Sequence, residues 1–292
     1  MSAAAEASTS VPSCLPPFGS PSAEAALARF GLVGKRALVT GGTKGIGRAI
    51  AEELCSLGAE VFICSRNGGE LEAAVAELRG RGFRAQGAAA DVSDRTQCEA
   101  LVAKVSEAFG GVLDILINNV GTNIRKATVD FTPEELDLVL STNLRSAYHL
   151  CQLAHPLLKA ARGGGGGGGG AVVFNSSVAG GPLSMFSGTP YAMTKAALNQ
   201  LTRNLAVEWA GDGIRTNSVC PWYTATPLAN QVLQDEAFKA KVLERTPLGR
   251  IGQPSEVAAA VAFLVGPGAA YVTGQCLAVD GGYSVKGLWP AH

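Results

Sequence analysis

Histidine is scarce in this chain and cysteine is scattered, so the side chains that usually build metal centres and disulfide frameworks are missing as clusters. Three histidines occur in 292 residues, and the seven cysteines, at positions 14, 55, 64, 98, 151, 220 and 276, are odd in number and form no CxxC pair. That pattern argues against a zinc site or a disulfide scaffold and fits reduced thiols in a reducing compartment; no metal is expected. Charge of one sign is lacking too. The 24 Lys and Arg residues balance 24 Asp and Glu, with no block of like charge, so neither nucleic acid nor an anionic membrane finds a footprint. No uncharged apolar run reaches the roughly 18 residues of a spanning helix. A soluble protein with a small-molecule partner is the expectation.

What the chain does have is apolar residues, 47% of the total, enough for one large α/β domain covered on both faces. From Lys35 onward, short Val/Ile/Leu/Ala runs alternate with longer segments of helical period, the pattern of repeated βαβ units. Strands are predicted at Arg36–Thr40, Glu60–Cys64, Arg84–Ala89, Ile115–Asn118, Ala171–Asn175, Arg215–Val219 and Gln275–Val279. Helices are predicted at Ile46–Leu57, Glu70–Arg81, Arg95–Phe109, Pro133–Leu158, Tyr191–Ala210, Pro227–Val232, Ala237–Arg245 and Pro254–Leu264. The fold class is therefore a doubly wound, seven-stranded parallel sheet with helices on both faces. One domain is expected over residues 31–292. Residues 1–30 are rich in Ala, Ser and Pro, carry Glu6 and Glu24 and have no base before Arg29; they read as a disordered tail of a cytoplasmic protein rather than as a plastid transit peptide, which is usually basic and poor in acids. Gly163–Gly170, an unbroken glycine run between a helix and a strand, reads as a flexible loop.

The first motif with chemistry is Thr40-Gly41-Gly42-Thr43-Lys44-Gly45-Ile46-Gly47, lying after a predicted strand and opening a predicted helix. Glycines there allow a tight turn, close approach of a ligand to the backbone and close packing of the helix, whose free N–H groups attract a pyrophosphate. This is the signature of a Rossmann-type dinucleotide site. The second strand ends Cys64-Ser65-Arg66, without the acidic residue that accepts from a ribose 2′-hydroxyl. With Lys44 in the turn and Arg66 beyond Ser65, two cations could flank a 2′-phosphate, which selects NADPH over NADH.

The second motif is Tyr191-Ala192-Met193-Thr194-Lys195 at a helix start, where the four-residue spacing puts phenol and ammonium on one face. A phenol near pKa 10 is a weak acid–base group at neutral pH, and a nearby cation would draw it towards working range. Upstream, a strand ends in Asn175-Ser176-Ser177, at the sheet edge where α/β folds bind ligands, so a serine there could hold a substrate oxygen.

Taken together, the glycine turn, Asn118-Asn119-Val120-Gly121, Ser177, Tyr191-x-x-x-Lys195 and Pro221-Trp222 resemble the short-chain dehydrogenase/reductases over about Leu32–Tyr283. Within that family, Asn118–Asn123, Ser176–Gly181 and Asn204–Trp209 look most like the tropinone reductase-like branch of plants. The resemblance implies Tyr191 as general acid, Lys195 as the group that lowers its pKa and holds the nicotinamide ribose, and Ser177 as the residue orienting the carbonyl. It implies that Asn143 braces a water that completes a proton relay to Lys195. Asp91 and Val92 would lie by the adenine, Asn118 by the adenosine ribose, Gly121 and Pro221 along the cofactor, and Thr226 near the nicotinamide carboxamide.

Two departures from the family pattern stand out. Ser177 precedes Tyr191 by fourteen residues where many members have thirteen, which makes Ser176 a fallback, and Trp222 replaces a glycine after Pro221. Residues 222–250 are expected to fold over the substrate as a lid. Val120, Ile124, Leu183, Met185, Trp222, Tyr223 and Leu228 are the expected pocket walls, which with few charges among them suits a small to medium, mainly apolar ketone, aldehyde or secondary alcohol. A 3-oxoacyl thioester reductase is the enzymatic alternative, although no compact basic cluster for an acidic carrier is evident. A catalytically silent NADP(H)-binding sensor is the alternative of another class. Apolar residues on more than one face of the helices Pro133–Leu158 and Tyr191–Ala210 point to a homodimer or homotetramer.

Overall fold

The computed structural model describes residues 24–25, 28–163 and 169–288. Most of the expected tail and most of the expected glycine loop, residues 164–168, lie outside the described residues.

Seven strands form one sheet in the order β3-β2-β1-β4-β5-β6-β7, every neighbouring pair parallel. They are β1 (Arg36–Thr40), β2 (Glu60–Ser65), β3 (Ala85–Ala89), β4 (Ile115–Asn118), β5 (Ala171–Asn175), β6 (Arg215–Pro221) and β7 (Cys276–Val279). The central strands β4 and β5 are buried throughout, because a parallel sheet covered on both faces has no solvent side for polar residues to use. Successive residues feed opposite cores: Ala37 and Val39 join one apolar cluster, Leu38 the other. The edge strand β3, Ala-Gln-Gly-Ala-Ala, instead leaves Gly87 and Ala89 exposed. Asp114, buried just before β4, accepts from the Arg36 backbone N–H (3.0 Å), Arg36 Nε (2.8 Å) and Lys35 Nζ (3.2 Å), which ties the start of β4 to that of β1.

One core is covered by α1 (Gly45–Ser56), α2 (Gly68–Gly80) and α9 (Pro254–Val265), the other by α3 (Arg95–Ala108), α5 (Ser146–Ala160) and α6 (Thr189–Glu208). Helices α7 (Pro227–Leu233) and α8 (Glu236–Arg245) carry a small cluster of their own in the segment expected to be a lid, with Ala229, Leu233 and Val242 buried among Trp222, Tyr223, Val232, Phe238 and Ile251. After β3 the chain returns to the sheet centre and lays β4 beside β1. That reversal opens a crevice at the C-terminal ends of β1 and β4, the place where doubly wound sheets take ligands.

The seven strands and the helices match their predicted positions to within a few residues, with one instructive difference. The single helix expected over Pro133–Leu158 is broken into α4 (Pro133–Leu140), a π-helical turn at Ser141–Arg145, and α5. The extra residue in that turn disturbs the regular ladder, and serine hydroxyls take up carbonyls around it. Ser141 Oγ donates to Asp137 O (2.7 Å) and Leu138 O (3.1 Å), and Ser146 Oγ to Thr142 O (2.6 Å). Apolar periodicity is blind to such an insertion, and π turns of this kind concentrate at functional sites. Asn143 lies within it.

Candidate active site

The turn between β1 and α1 has the backbone that a phosphate cradle needs. Gly41 and Gly45 take left-handed φ values of +65° and +57°. Gly47 is a case of close approach: a Cβ there would meet Gly41 O at 2.2 Å and Asn119 Nδ2 at 2.4 Å. The residues present therefore fit a dinucleotide pyrophosphate at the open N-terminus of α1. Thr43 and Ser65 face each other across the turn, their hydroxyl oxygens 3.4 Å apart. Lys44 reaches Glu70 at 3.4 Å, an exposed pair weak enough for a phosphate to displace, and Arg66 is exposed at the end of β2.

Farther along the same sheet edge, Ser177, Tyr191 and Lys195 line one cleft together with Ile46, Gly121, Pro221 and Thr226. The two serines after β5 have separate tasks. Ser176 Oγ donates to the Lys195 carbonyl (3.1 Å) and so fastens the sheet edge to α6. Ser177 starts a short helical turn, accepting from the Ala179 N–H (3.1 Å), and its hydroxyl acts on the Tyr191 phenol. Both serines line the cleft, and of the two only Ser176 has its hydroxyl committed to a backbone carbonyl among the described residues. Helix α6 can come this close because position 180 is glycine: a Cβ there would lie 2.5 Å from the Lys195 carbonyl carbon.

Lys195 is 3% exposed, and its Nζ donates to the Asn175 carbonyl (2.7 Å) from 5.5 Å off the Tyr191 ring centre. Burial pushes its ammonium down to about 8. Burial likewise pushes the Tyr191 phenol up, while the Ser177 hydroxyl and the Arg125 charge pull it the other way. The Lys195 ammonium thus lies beside the phenol ring and is held there by a backbone carbonyl.

Asparagines hold these parts in register. Asn119 donates through Nδ2 to Thr40 O (2.8 Å) and Gly41 O (3.3 Å) and accepts at Oδ1 from Asn175 Nδ2 (2.8 Å). Asn143 accepts from the Thr122 N–H (2.7 Å) and donates to Thr122 O (2.9 Å) and Thr194 Oγ1 (3.2 Å). Its amide therefore pins the loop after β4 to α6. Asn118 is buried, its Nδ2 on Cys151 Sγ (3.5 Å) and its Oδ1 without a partner among the described residues. Asp91 folds onto Ser93, accepting from its N–H (2.9 Å) and hydroxyl (2.7 Å), and Val92 is buried behind it.

Of the expected walls, Met185, Trp222, Tyr223 and Leu228 line the cleft. Val120 packs towards Gly41 and the core, Leu183 is exposed, and Ile124 turns its carbonyl towards Gly188; none of these three is in the lining. Trp222 stacks on Tyr283, with centroids 3.6 Å apart, and donates from Nε1 to Thr246 Oγ1 (3.0 Å). The sequence reading missed Asn119, Asn123, Arg125, Asn175 and Ser187, all in the lining. Asn119 stood in a quoted motif and Asn175 at a strand end, which were usable signals. Arg125, next to Lys126 in a loop, looked like any solvated charge.

Known proteins resemble this chain over most of its length. A family model described as enoyl-(acyl carrier protein) reductase matches residues 41–284. A tropinone reductase homolog of Arabidopsis thaliana is 54% identical over 89% of this chain and 96% of its own length. A second homolog from that plant, described as chloroplastic, is 52% identical over 90% of this chain and 80% of its own. Among solved structures, a gluconate 5-dehydrogenase from Burkholderia cenocepacia in complex with NADP and tartrate superposes with a TM-score of 0.82 at 34% identity, covering 89% of this chain and 99% of that one.

The glycine turn gives a direct test. Gly47→Ala should abolish dinucleotide binding in calorimetry, since the new methyl group cannot coexist with the Gly41 carbonyl; binding as tight as the parent's would show that the turn is no cradle.

Proposed function

The chain belongs to the short-chain dehydrogenase/reductase family, and from that premise we propose that it is a tropinone reductase-like enzyme that uses NADPH to reduce a small to medium ketone or aldehyde, or oxidises the corresponding alcohol. The observation that carries this reading is the convergence of Ser177, Tyr191 and Lys195 on the cleft that begins at the glycine turn.

When bound along Gly41–Gly47, Asp91, Val92, Asn118 and Thr226, the dinucleotide supplies the hydride. The protein supplies the rest. Tyr191, whose phenol is raised by burial, keeps its proton at neutral pH and delivers it to the carbonyl oxygen. Ser177 holds that oxygen, and the Lys195 ammonium places positive charge beside the site where negative charge develops. Asn143 fixes the loop that carries Gly121 and, in the π turn, can position a water behind Lys195. Residues 222–250 cover the substrate, with Trp222 and Tyr223 as walls. Arg66 at the end of β2, with no acid before it, and Lys44 in the glycine turn favour the 2′-phosphate of NADPH, and the NADP in the Burkholderia structure supports that preference. The half-exposed Leu138, Tyr148 and Met193 and the exposed Val207, on α4, α5 and α6, support self-association as a dimer or tetramer.

Purified protein given NADPH and a panel of carbonyls tests the reading: cofactor oxidation should occur and should be lost in Tyr191→Phe, and tight cofactor binding without turnover on any carbonyl would contradict it. The pH profile follows from the two shifts. The phenol remains protonated across the neutral range, whereas the ammonium is lost as pH rises through about 8. Reductive kcat/KM should therefore hold below about pH 8 and decline above it; a profile flat into the phenol's own range would exclude a role for the Lys195 charge. Replacing Arg66→Asp should weaken NADPH at least roughly tenfold more than NADH, by loss of a charge-assisted contact and gain of a repulsive one. Equal losses for the two cofactors would defeat the assignment.

A further inference from the structure

Eight buried side-chain polar atoms lack a hydrogen-bond partner among the described residues, although one of them, Arg48 Nη2, is ion-paired with Glu77 at 2.9 Å, and four, Asn123 Oδ1, Arg125 Nε, Asn175 Oδ1 and Ser187 Oγ, belong to residues that line the Tyr191 cleft. A buried polar group left unpaired is costly, so half of them falling in one cleft marks a place where a polar ligand completes the bonding. Asn175 faces the dinucleotide side through its bond to Asn119. The other three come from two loops that meet across the cleft, the one after β4 and the one before α6. Those loops are fastened together: Thr128 Oγ1 and Thr189 Oγ1 share a hydrogen bond of 2.7 Å, and the lack of a side chain at Gly188 lets it sit against the Ile124 carbonyl.

The charge around this corner is one-sided. Neither Asp nor Glu lines the cleft; its ionic groups are Arg125 and Lys195, and Lys195 is turned to the Asn175 carbonyl. Arg125 is half-buried, and its charge reaches both phenols of the cleft, Tyr191 and Tyr223. A guanidinium N–H, a hydroxyl and a carboxamide that can turn its NH2 inward form a donor set suited to two oxygens in a plane.

We propose that the substrate is an oxo acid, or in reverse a hydroxy acid, whose carboxylate is held by Arg125 with Asn123 and Ser187 while its carbonyl lies against Tyr191 and Ser177. This deepens the reductase reading and rests on it. It also replaces the expectation of a mainly apolar pocket: the cleft that Met185, Trp222 and Leu228 line also recognises an anion.

The test compares an oxo acid with its own methyl ester, which differs in charge and little in shape, using the full chain and NADPH, with an uncharged cyclic ketone as a third substrate. The acid should exceed the ester in kcat/KM by roughly tenfold or more, chiefly through KM, as expected for a charge-assisted contact made in both ground and transition states. Arg125→Met should bring the acid-to-ester ratio near one, and Arg125→Lys should keep part of it. A parent enzyme indifferent to the charge, or a preference that survives Arg125→Met, overturns the proposal. Binding of the hydroxy acid and of its ester to the Tyr191→Phe protein with NADP+, followed by calorimetry, separates the two levels. Reduction of the cyclic ketone without discrimination between acid and ester sinks the carboxylate subsite alone, whereas discrimination in binding with no carbonyl reduced sinks the reductase reading and leaves the subsite standing.

Discussion

Lys195 is a cation inside the protein, and the Asn175 carbonyl, 2.7 Å from its Nζ, is what makes that burial tolerable. An ammonium removed from water needs acceptors nearby or it gives up its proton; one backbone carbonyl holds it in place and burial still lowers it to about 8. The same asparagine extends the constraint sideways. Its amide donates to Asn119 (2.8 Å), and Asn119 in turn donates to the carbonyls of Thr40 and Gly41. One chain of hydrogen bonds thus links the glycine turn with the buried Lys195 ammonium, across the ends of β1, β4 and β5. A shift in one strand end would be felt at both.

The sheet makes this linkage possible by returning through its centre. Because β4 lies between β1 and β5, the two asparagine-bearing strand ends are neighbours, and Ser177 and Tyr191 arrive from the next turn and the next helix. The π turn at Ser141–Arg145 completes the support from behind, where the Asn143 amide is used on Thr122 and Thr194. The side chains proposed as catalytic are placed by backbone and amide contacts of their neighbours, which is the preorganisation that electrostatic catalysis relies on.

Much of this could be read from the chain alone. Strand positions followed from short Val/Ile/Leu/Ala runs, and the glycine turn and the Tyr191–Lys195 spacing followed from what a phosphate and a proton donor need. What escaped had no one-dimensional trace. An extra residue in a helical turn does not alter apolar periodicity, so the break between α4 and α5 was invisible. Asn119 and Asn175 look like polar residues at strand ends until the fold sets them 2.8 Å apart. Val120 and Leu183 were apolar residues near motifs, and apolar residues near motifs mostly fill interiors or surfaces. Arg125 became informative only when its Nε proved to be buried without a partner.

The most direct measurement is a crystal structure with NADP+ and a non-reducible substrate analogue. The account predicts the dinucleotide pyrophosphate at Gly41–Gly47, and the analogue's oxygen within hydrogen-bond reach of both the Tyr191 and Ser177 hydroxyls while Lys195 remains buried beside Asn175. A dinucleotide seated elsewhere on the sheet, or an analogue oxygen out of reach of Tyr191, would contradict it.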